Sequence, residues 1–128
     1  MRRPHDWLRQ AELDLAAARD SQSAGHHEWA CFAAQQAADK SVKALHESTG
    51  TEAWGHSVVE LLRGIKDVPG DVMDSGKALD KHYPARYPNT HPAGAPGDLY
   101  TAAEAERAIN DAARVIEYVR RHLSWAGS

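Results

Sequence analysis

Cysteine and long apolar runs are nearly missing from this chain of 128 residues. The single cysteine, Cys31, rules out a disulfide within one molecule, and its place in a helical pattern favours a small buried apolar group. No apolar stretch has the length of a membrane span, and the basic N-terminus leads into no signal-peptide core. We therefore expect a cytoplasmic protein that makes no membrane contact.

The chain also has little net charge. The chain has 15 lysines and arginines against 18 aspartates and glutamates, which gives a formal net charge of -3. A protein that coats nucleic acid through bulk charge needs many phosphate-neutralising cations, so this class is excluded. Any contact with nucleic acid has to be local.

Strand-like alternation, sequence repeats and Gly-rich phosphate loops are missing too. Apolar residues recur instead at helical spacing, which predicts helices over 4–21, 26–48, 57–67, 71–83 and from 101 onward. Gly50 should end the second helix, and Ser57 and Thr101 begin capping boxes. The prediction is an all-α, up-and-down bundle of about five helices that forms a single domain over residues 1–128.

Proline is concentrated between the last two predicted helices, at positions 84, 88, 92 and 96. Each ring fixes φ and removes a donor, so we expect no regular helix across 84–100. A loop of this length is either functional or disordered.

This loop contains Arg86 and His91. An imidazole moves protons near neutral pH and a guanidinium neutralises phosphate, so the pair could support attack of an RNA 2′-hydroxyl on its own phosphodiester. The alternative is a chance arginine and histidine in one loop, because the spacing alone has low specificity.

A polar stripe follows two aromatic residues on the second predicted helix. Trp29 and Phe32 precede Gln36, Lys40 and Lys43 on one side. The lysines could bind a phosphate or an acidic partner, whereas the alternative is a solvated face. Because two aromatic residues share that side, we predict a half-buried face that lines a groove.

Metal-ligand spacing is not found among the eight histidines and the single cysteine. His26 and His27 point in different directions on a helix, and His56, His82 and His91 form no recognised ligand motif. We therefore expect neither a metal site nor a cofactor. Asp14 lies on the apolar side of the first predicted helix, where an acid commonly pairs with a base.

Four motifs together resemble those of HEPN domains, the higher-eukaryote and prokaryote nucleotide-binding domains. They are, in chain order, Trp7-Leu8-x-x-Ala11-Glu12-x-Asp14-Leu15, Ala34-Gln35-Gln36-Ala37-Ala38-Asp39-Lys40-x-x-Lys43-Ala44-Leu45, Gly55-His56-Ser57 and Leu79-Asp80-x-x-Tyr83-x-x-Arg86-Tyr87-Pro88. The similarity is collinear over nearly the whole chain. It implies an all-α bundle, a homodimer, a polar groove for nucleotide or RNA phosphate, and often a minimal nucleotidyltransferase partner.

The resemblance also implies roles for the proline-rich loop. In one branch of the family, Arg86 and His91 would be the motif of a metal-independent ribonuclease toxin restrained by the nucleotidyltransferase. Here Arg86 is followed by Tyr87, and His91 lies about ten residues before Thr101, away from the helix start that supports this chemistry. This pattern is more similar to the branch that binds nucleotides.

Our leading hypothesis is a homodimeric nucleotide- or phosphate-binding protein that works with a nucleotidyltransferase partner. The candidate ligand-binding residues are Gln36, Lys40, Lys43, Asp80, Tyr83, Arg86 and Tyr87. The runner-up is a ribonuclease that uses Arg86 and His91, and a third hypothesis is a structural helical interaction module.

Overall fold

Helices build the whole architecture of the described chain. A computed structural model describes residues 2–83 and 93–123. The helices are α1 (Pro4–Ser23), α2 (His27–Thr49), α3 (Val58–Arg63), α4 (Gly70–Asp80), α5 (Pro96–Leu99) and α6 (Ala102–His122). These two ranges contain no strand, so the all-α prediction is confirmed. Within them, no helix combines the length and apolar character needed to cross a bilayer.

The hairpin of α1 and α2 forms one half of the bundle. A short turn at Gly25, with φ of 82°, reverses the chain between them. The predicted apolar stripe of α1 is buried at Leu8, Ala11, Leu15 and Ala18. It packs against a stripe of buried small side chains on α2, which lets the two backbones approach closely.

Helix α6 closes the bundle against α2, α4 and α1. Its start is the capping box predicted at Thr101, whose Oγ1 accepts from the Glu104 amide at 3.1 Å. The Glu104 carboxylate accepts from the Thr101 amide at 3.1 Å in return. The helix predicted from 101 onward is therefore confirmed.

Helices α3 and α4 meet at Gly76. A Cβ at this position would lie 3.1 Å from Leu62 Cδ1 and 3.3 Å from Val58 Cγ1. The internal glycine, which weakens an isolated helix, here allows close packing of α3 on α4.

Helix α3 is shorter than the predicted 57–67. Ser57 caps it as expected, but the Glu60 carboxylate contacts Arg63 and no full capping box forms. The buried His46 ring bonds the Leu61 carbonyl at 2.8 Å, which competes for an acceptor that the next helical turn would use. The predicted end at 67 was therefore wrong: α3 ends at Arg63, and the amides of Gly64 and Ile65 make tighter turn bonds to Leu61 and Leu62.

Helix α4 ends at Asp80, three residues before the predicted end at 83. The amides of His82 and Tyr83 bond to the carbonyls of Leu79 and Asp80 in a tightened last turn. Pro84 follows in the sequence, and a residue that precedes proline is disfavoured in the helical region.

The prediction that 84–100 contains no regular helix was wrong at its C-terminal end. Residues 96–99 form α5, with Pro96 at its first turn. The fixed φ of proline suits that position, so a proline-rich segment can still begin a helix. Residues 84–92 lie outside the described chain.

Candidate functional site

Two fully buried polar residues lie on α2, one helical turn apart. Gln35 is 0% exposed and Asp39 is 1% exposed. Lys43 continues the same stripe one turn further. Buried amide and carboxylate groups are costly without partners, so their contacts determine what this face holds in place.

The Asp39 carboxylate holds one cation and one imidazole. Its Oδ1 lies 2.8 Å from Lys43 Nζ, and its Oδ2 lies 3.0 Å from His56 Nδ1. The Lys43 side chain is only 13% exposed, whereas that of His56 is 52% exposed. Asp39 therefore joins a sheltered ammonium to an imidazole at the surface.

Asp80 anchors the start of α3. Its Oδ1 accepts from the Val58 amide at 2.7 Å, and its Oδ2 accepts from the Val59 amide at 3.1 Å and from Ser57 Oγ at 2.9 Å. A carboxylate at a helix N-terminus satisfies free amides and complements the helix dipole. Asp80 therefore fixes α3 next to the end of α4, and ligand binding by Asp80 stays a prediction.

Gln35 connects these two anchors. Its Nε2 donates to the His56 carbonyl at 2.6 Å and lies 3.4 Å from Asp80 Oδ1. Its Oε1 accepts from Gln36 Nε2 at 2.7 Å. The backbone at His56 is therefore held by α2, while its ring is held by Asp39.

Four rings form a row along this side of the molecule, which we call the aromatic row: Trp29, Phe32, Tyr83 and His56. Trp29 packs edge-on against Phe32 at 6.2 Å, and Phe32 lies 6.2 Å from Tyr83. Tyr83 stacks on His56 at 5.3 Å with an interplanar angle of 12°. Trp29 is 50% exposed and Tyr83 is 38% exposed, so the row presents ring surface to solvent.

Three cavities adjoin the polar side chains of α2, and the one of about 430 Å³ is lined by Lys43 together with Arg2, Trp7 and Trp54. The other two lie to either side. One of about 330 Å³ is lined by His56, Ser57, Asp80 and Tyr83. The other, of about 350 Å³, lies between α1 and α2 and is lined by Arg3, Asp6, Trp7, Gln10 and Lys40. Lys40 Nζ lies 2.5 Å from Asp14 Oδ2, which confirms that Asp14 pairs with a base.

The structure divides the predicted site residues into three groups. Gln36, Lys43, Asp80 and Tyr83 join one network through Gln35, Asp39 and His56, which sequence reasoning left out of the site. Lys40 lies apart, on the α1 side. Arg86, Tyr87 and His91 lie outside the described residues. The spacing of positions 35, 39 and 43, one helical turn each, was the signal for the missed network.

Two further titratable sites lie outside this network. They are Cys31 on α2 and the contact between His82 and Tyr100. Burial, with a smaller effect of Glu104, raises the pKa of the Cys31 thiol to about 12. Cys31 is thus the buried, inert group that its sequence position predicted. Burial lowers the pKa of His82, whose Nδ1 lies 3.2 Å from Tyr100 Oη. Across the described positions, no three metal-binding side chains lie close enough to share an ion.

Known proteins with the same architecture cover nearly the whole chain. TT1696 from Thermus thermophilus is 46% identical with a TM-score of 0.93, covering 96% of this chain and 100% of its own. An archaeal HEPN homologue is 41% identical with a TM-score of 0.85, covering 97% of this chain and 100% of its own. A HEPN domain protein from Thermotoga maritima is 36% identical with a TM-score of 0.77, covering 94% of this chain and 99% of its own.

No curated protein matches the chain. The family model of the HEPN domain matches residues 4–122, which includes every helix described above. The chain belongs to the HEPN domain family.

Proposed function

We propose that this protein binds a nucleotide or an RNA phosphate in the groove along α2, and that it does so as a homodimer beside a minimal nucleotidyltransferase partner. One observation carries the binding proposal: the aromatic row ends at His56, which Asp39 joins to Lys43. A ring surface and a cation are thus linked through one carboxylate on the same side of α2.

The phosphate would contact the lysines of α2. An ammonium group has three donors, so an ion pair with one carboxylate leaves further N–H groups for a ligand. Lys40 keeps a side-chain exposure of 30% while it contacts Asp14, and Lys43 is held against Asp39. Both cations are therefore positioned before a ligand arrives, which reduces the entropy lost on binding.

The base would stack on the aromatic row. Stacking of a base on an aromatic side chain contributes about 1–3 kcal/mol and tolerates every base identity. Tyr83 is the central candidate because it is 38% exposed and lies between Phe32 and His56 in the row.

Isothermal titration with ATP and with a short single-stranded RNA tests the proposal. Tyr83→Ala should weaken binding by about 5- to 150-fold, which corresponds to the loss of one stacking contact. Lys40→Met should weaken it by about tenfold through the loss of a charge-assisted bond. Lys66→Met, which changes an exposed lysine after α3, is the matched control. Equal affinity in all four proteins would contradict the proposal.

The homodimer and the partner are proposals that rest on family membership and on exposed apolar side chains. Leu13 and Trp54, which lie outside the aromatic row, are 44% and 81% exposed. A second subunit could cover such surfaces. Sedimentation should show a dimer at micromolar concentration, and a monomer would contradict it. The partner proposal predicts that the neighbouring gene encodes a minimal nucleotidyltransferase and that the two proteins co-purify; a neighbouring gene of another kind would contradict it.

A further inference from the structure

The cavity of about 430 Å³ lies at the C-terminal end of α2, and no residue of the aromatic row lines it. Its wall combines two indole side chains, Trp7 and Trp54, with two carboxylates, Glu47 and Glu52. Trp54 is 81% exposed, the highest value among the large apolar side chains that the structure describes. Among the described residues, neither carboxylate forms an ion pair. The wall thus offers aromatic surface and negative charge without a paired cation.

The end of α2 adds to the negative potential of this cavity. Gly50 closes the helix in the left-handed conformation, with φ of 75°. The amides of Gly50 and Thr51 bond to the carbonyls of Glu47 and His46, so the negative end of the helix dipole lies beside the cavity. A carboxylate in the last turn, such as that of Glu47, is unfavourable next to this dipole. A cation in the cavity would relieve both sources of negative potential.

One guanidinium group already lies at this place. A Cβ added at Gly50 would overlap the Arg2 guanidinium, and the Arg2 Nε would lie 3.0 Å from it. The guanidinium therefore lies against the backbone that closes α2. Arg2 is exposed and precedes α1, which begins at Pro4, so its side chain can move away without unwinding a helix. The end of α2 thus accepts a guanidinium group, and the present one is replaceable.

The charges around the cavity favour a cationic ligand over an anionic one. Lys43 lies in the wall, but its ammonium is 2.8 Å from Asp39 Oδ1 and is neutralised by it. The remaining charged groups are Arg2, Glu47 and Glu52, which together carry one net negative charge near neutral pH. When Arg2 moves away, the net charge of the wall becomes two negative charges.

We propose that this cavity is a docking site for an arginine side chain of another polypeptide chain. A guanidinium fits better than an ammonium because the planar cation can stack on an indole ring while it donates to a carboxylate, and because Arg2 places the same group on Gly50. A polypeptide fits better than a small cation because the residues beside its arginine would cover the exposed Trp54. The site is separate from the proposed nucleotide groove.

A titration followed by NMR tests the inference on the full chain, through the indole N–H signals of its four tryptophans. The probe is a blocked tripeptide of leucine, arginine and leucine. Its control contains citrulline, the neutral isostere of arginine. The arginine peptide should shift the signals of Trp7 and Trp54, which Trp7→Phe and Trp54→Leu assign. The citrulline peptide should bind about fivefold more weakly or worse, because it lacks the charge.

Equal affinity for both peptides would overturn the inference. Shifts confined to the signal of Trp29 would also overturn it, because they would place the peptide on the aromatic row.

Variants of the wall test each contact. Trp54→Leu, measured through the Trp7 signal, should weaken binding of the arginine peptide by about 2- to 30-fold through the loss of a cation–π contact. Glu47→Gln should weaken it by about 2- to 5-fold through the loss of an ion pair. Asp74→Asn, which changes an exposed acid on α4, is the matched control and should leave the affinity unchanged.

Arg2→Ala distinguishes a cationic ligand from an anionic one by the sign of its effect. The variant removes the internal guanidinium and its like charge, so the arginine peptide should bind about 2- to 5-fold more tightly. An anionic ligand would lose its cation and bind more weakly. Weaker binding of the arginine peptide to Arg2→Ala would overturn the inference.

Butylguanidinium separates the two sources of a guanidinium group. It should bind more weakly than the tripeptide, because it has no neighbouring residues to cover Trp54. Equal or tighter binding would identify a small cation as the ligand and overturn the polypeptide source. If neither compound binds, the whole inference is overturned, while the titrations with ATP and single-stranded RNA still decide the proposed function.

Discussion

The two faces of α2 are stabilised in different ways. One face packs small and aliphatic side chains against α1 and α6, and its residues are buried without any charged group. The other face holds Gln35, Asp39 and Lys43 in directed bonds to the segment before α3 and to the end of α4. Apolar packing is non-directional and supplies stability, whereas a buried polar network loses hydration and holds side chains in defined positions. One helix thus supports the fold with one face and the candidate site with the other.

Removing the centre of the polar face should have the largest effect. Asp39→Ala leaves the sheltered Lys43 ammonium without its counter-charge, so we expect the free energy of unfolding to fall by about 3–5 kcal/mol. Urea denaturation measures this loss. Asp14→Ala is the control, since its partner Lys40 is more exposed and the loss should be about 1 kcal/mol. Equal losses would show that burial does not distinguish the two ion pairs.

A cavity in the apolar face should lower stability without changing the site. Leu45→Ala removes a buried side chain of α2 and should cost about 2–5 kcal/mol in urea denaturation. The folded variant should bind ATP with wild-type affinity. Weaker binding at a protein concentration and temperature where the variant is fully folded would show that the two faces are coupled.

Removing the anchor between α3 and α4 should have a moderate effect. Asp80→Ala leaves the Val58 and Val59 amides without their acceptor and should cost about 1–2 kcal/mol, as the loss of a helix cap does. Hydrogen exchange at these two amides should accelerate. Asp80→Asn keeps one acceptor oxygen and should lose less. Unchanged exchange in Asp80→Ala would mean that the cap contributes little.

A pH dependence should give the smallest effect, at the neutral contact between His82 and Tyr100. Because burial lowers the pKa of His82, the unfolded chain binds a proton there more readily than the folded protein does. This contribution to stability is complete above the ordinary histidine value of about 6.5 and is lost as the pH falls through the folded value. His82→Phe should reduce the loss of stability on acidification, measured by urea denaturation. If the free energy of unfolding falls equally with decreasing pH in the wild type and in His82→Phe, the assignment is contradicted.

Sequence periodicity predicted the helices best where one element buries its own stripe. Helix α6 begins at its predicted capping box, and α2 ends at Gly50 in the left-handed conformation. The end of α3 was predicted less well, and there a distant side chain, His46, bonds the Leu61 carbonyl. Local patterns contain no information about such contacts.

The sequence predicted several residues of the candidate site but not the contacts between them. Lys40 and Lys43 fall on one stripe of the sequence, yet each contacts a different acid, Asp14 on α1 and Asp39 on α2. The sequence did not predict His56 as a ligand-binding residue, because its partner Asp39 is 17 positions away in the chain. The roles of Arg86, Tyr87 and His91 stay predictions, and RNA cleavage without metal, lost in His91→Ala, is the test of the ribonuclease alternative.

The sequence by itself determined which segments are helical, which stripe of each helix is apolar and which polar groups α2 carries, since these follow from local spacing and capping. Only the tertiary structure decided that Asp39 joins Lys43 to His56, that Asp80 holds α3, and that four rings form a row. Those contacts join residues far apart in the chain, and their geometry depends on how the helices pack.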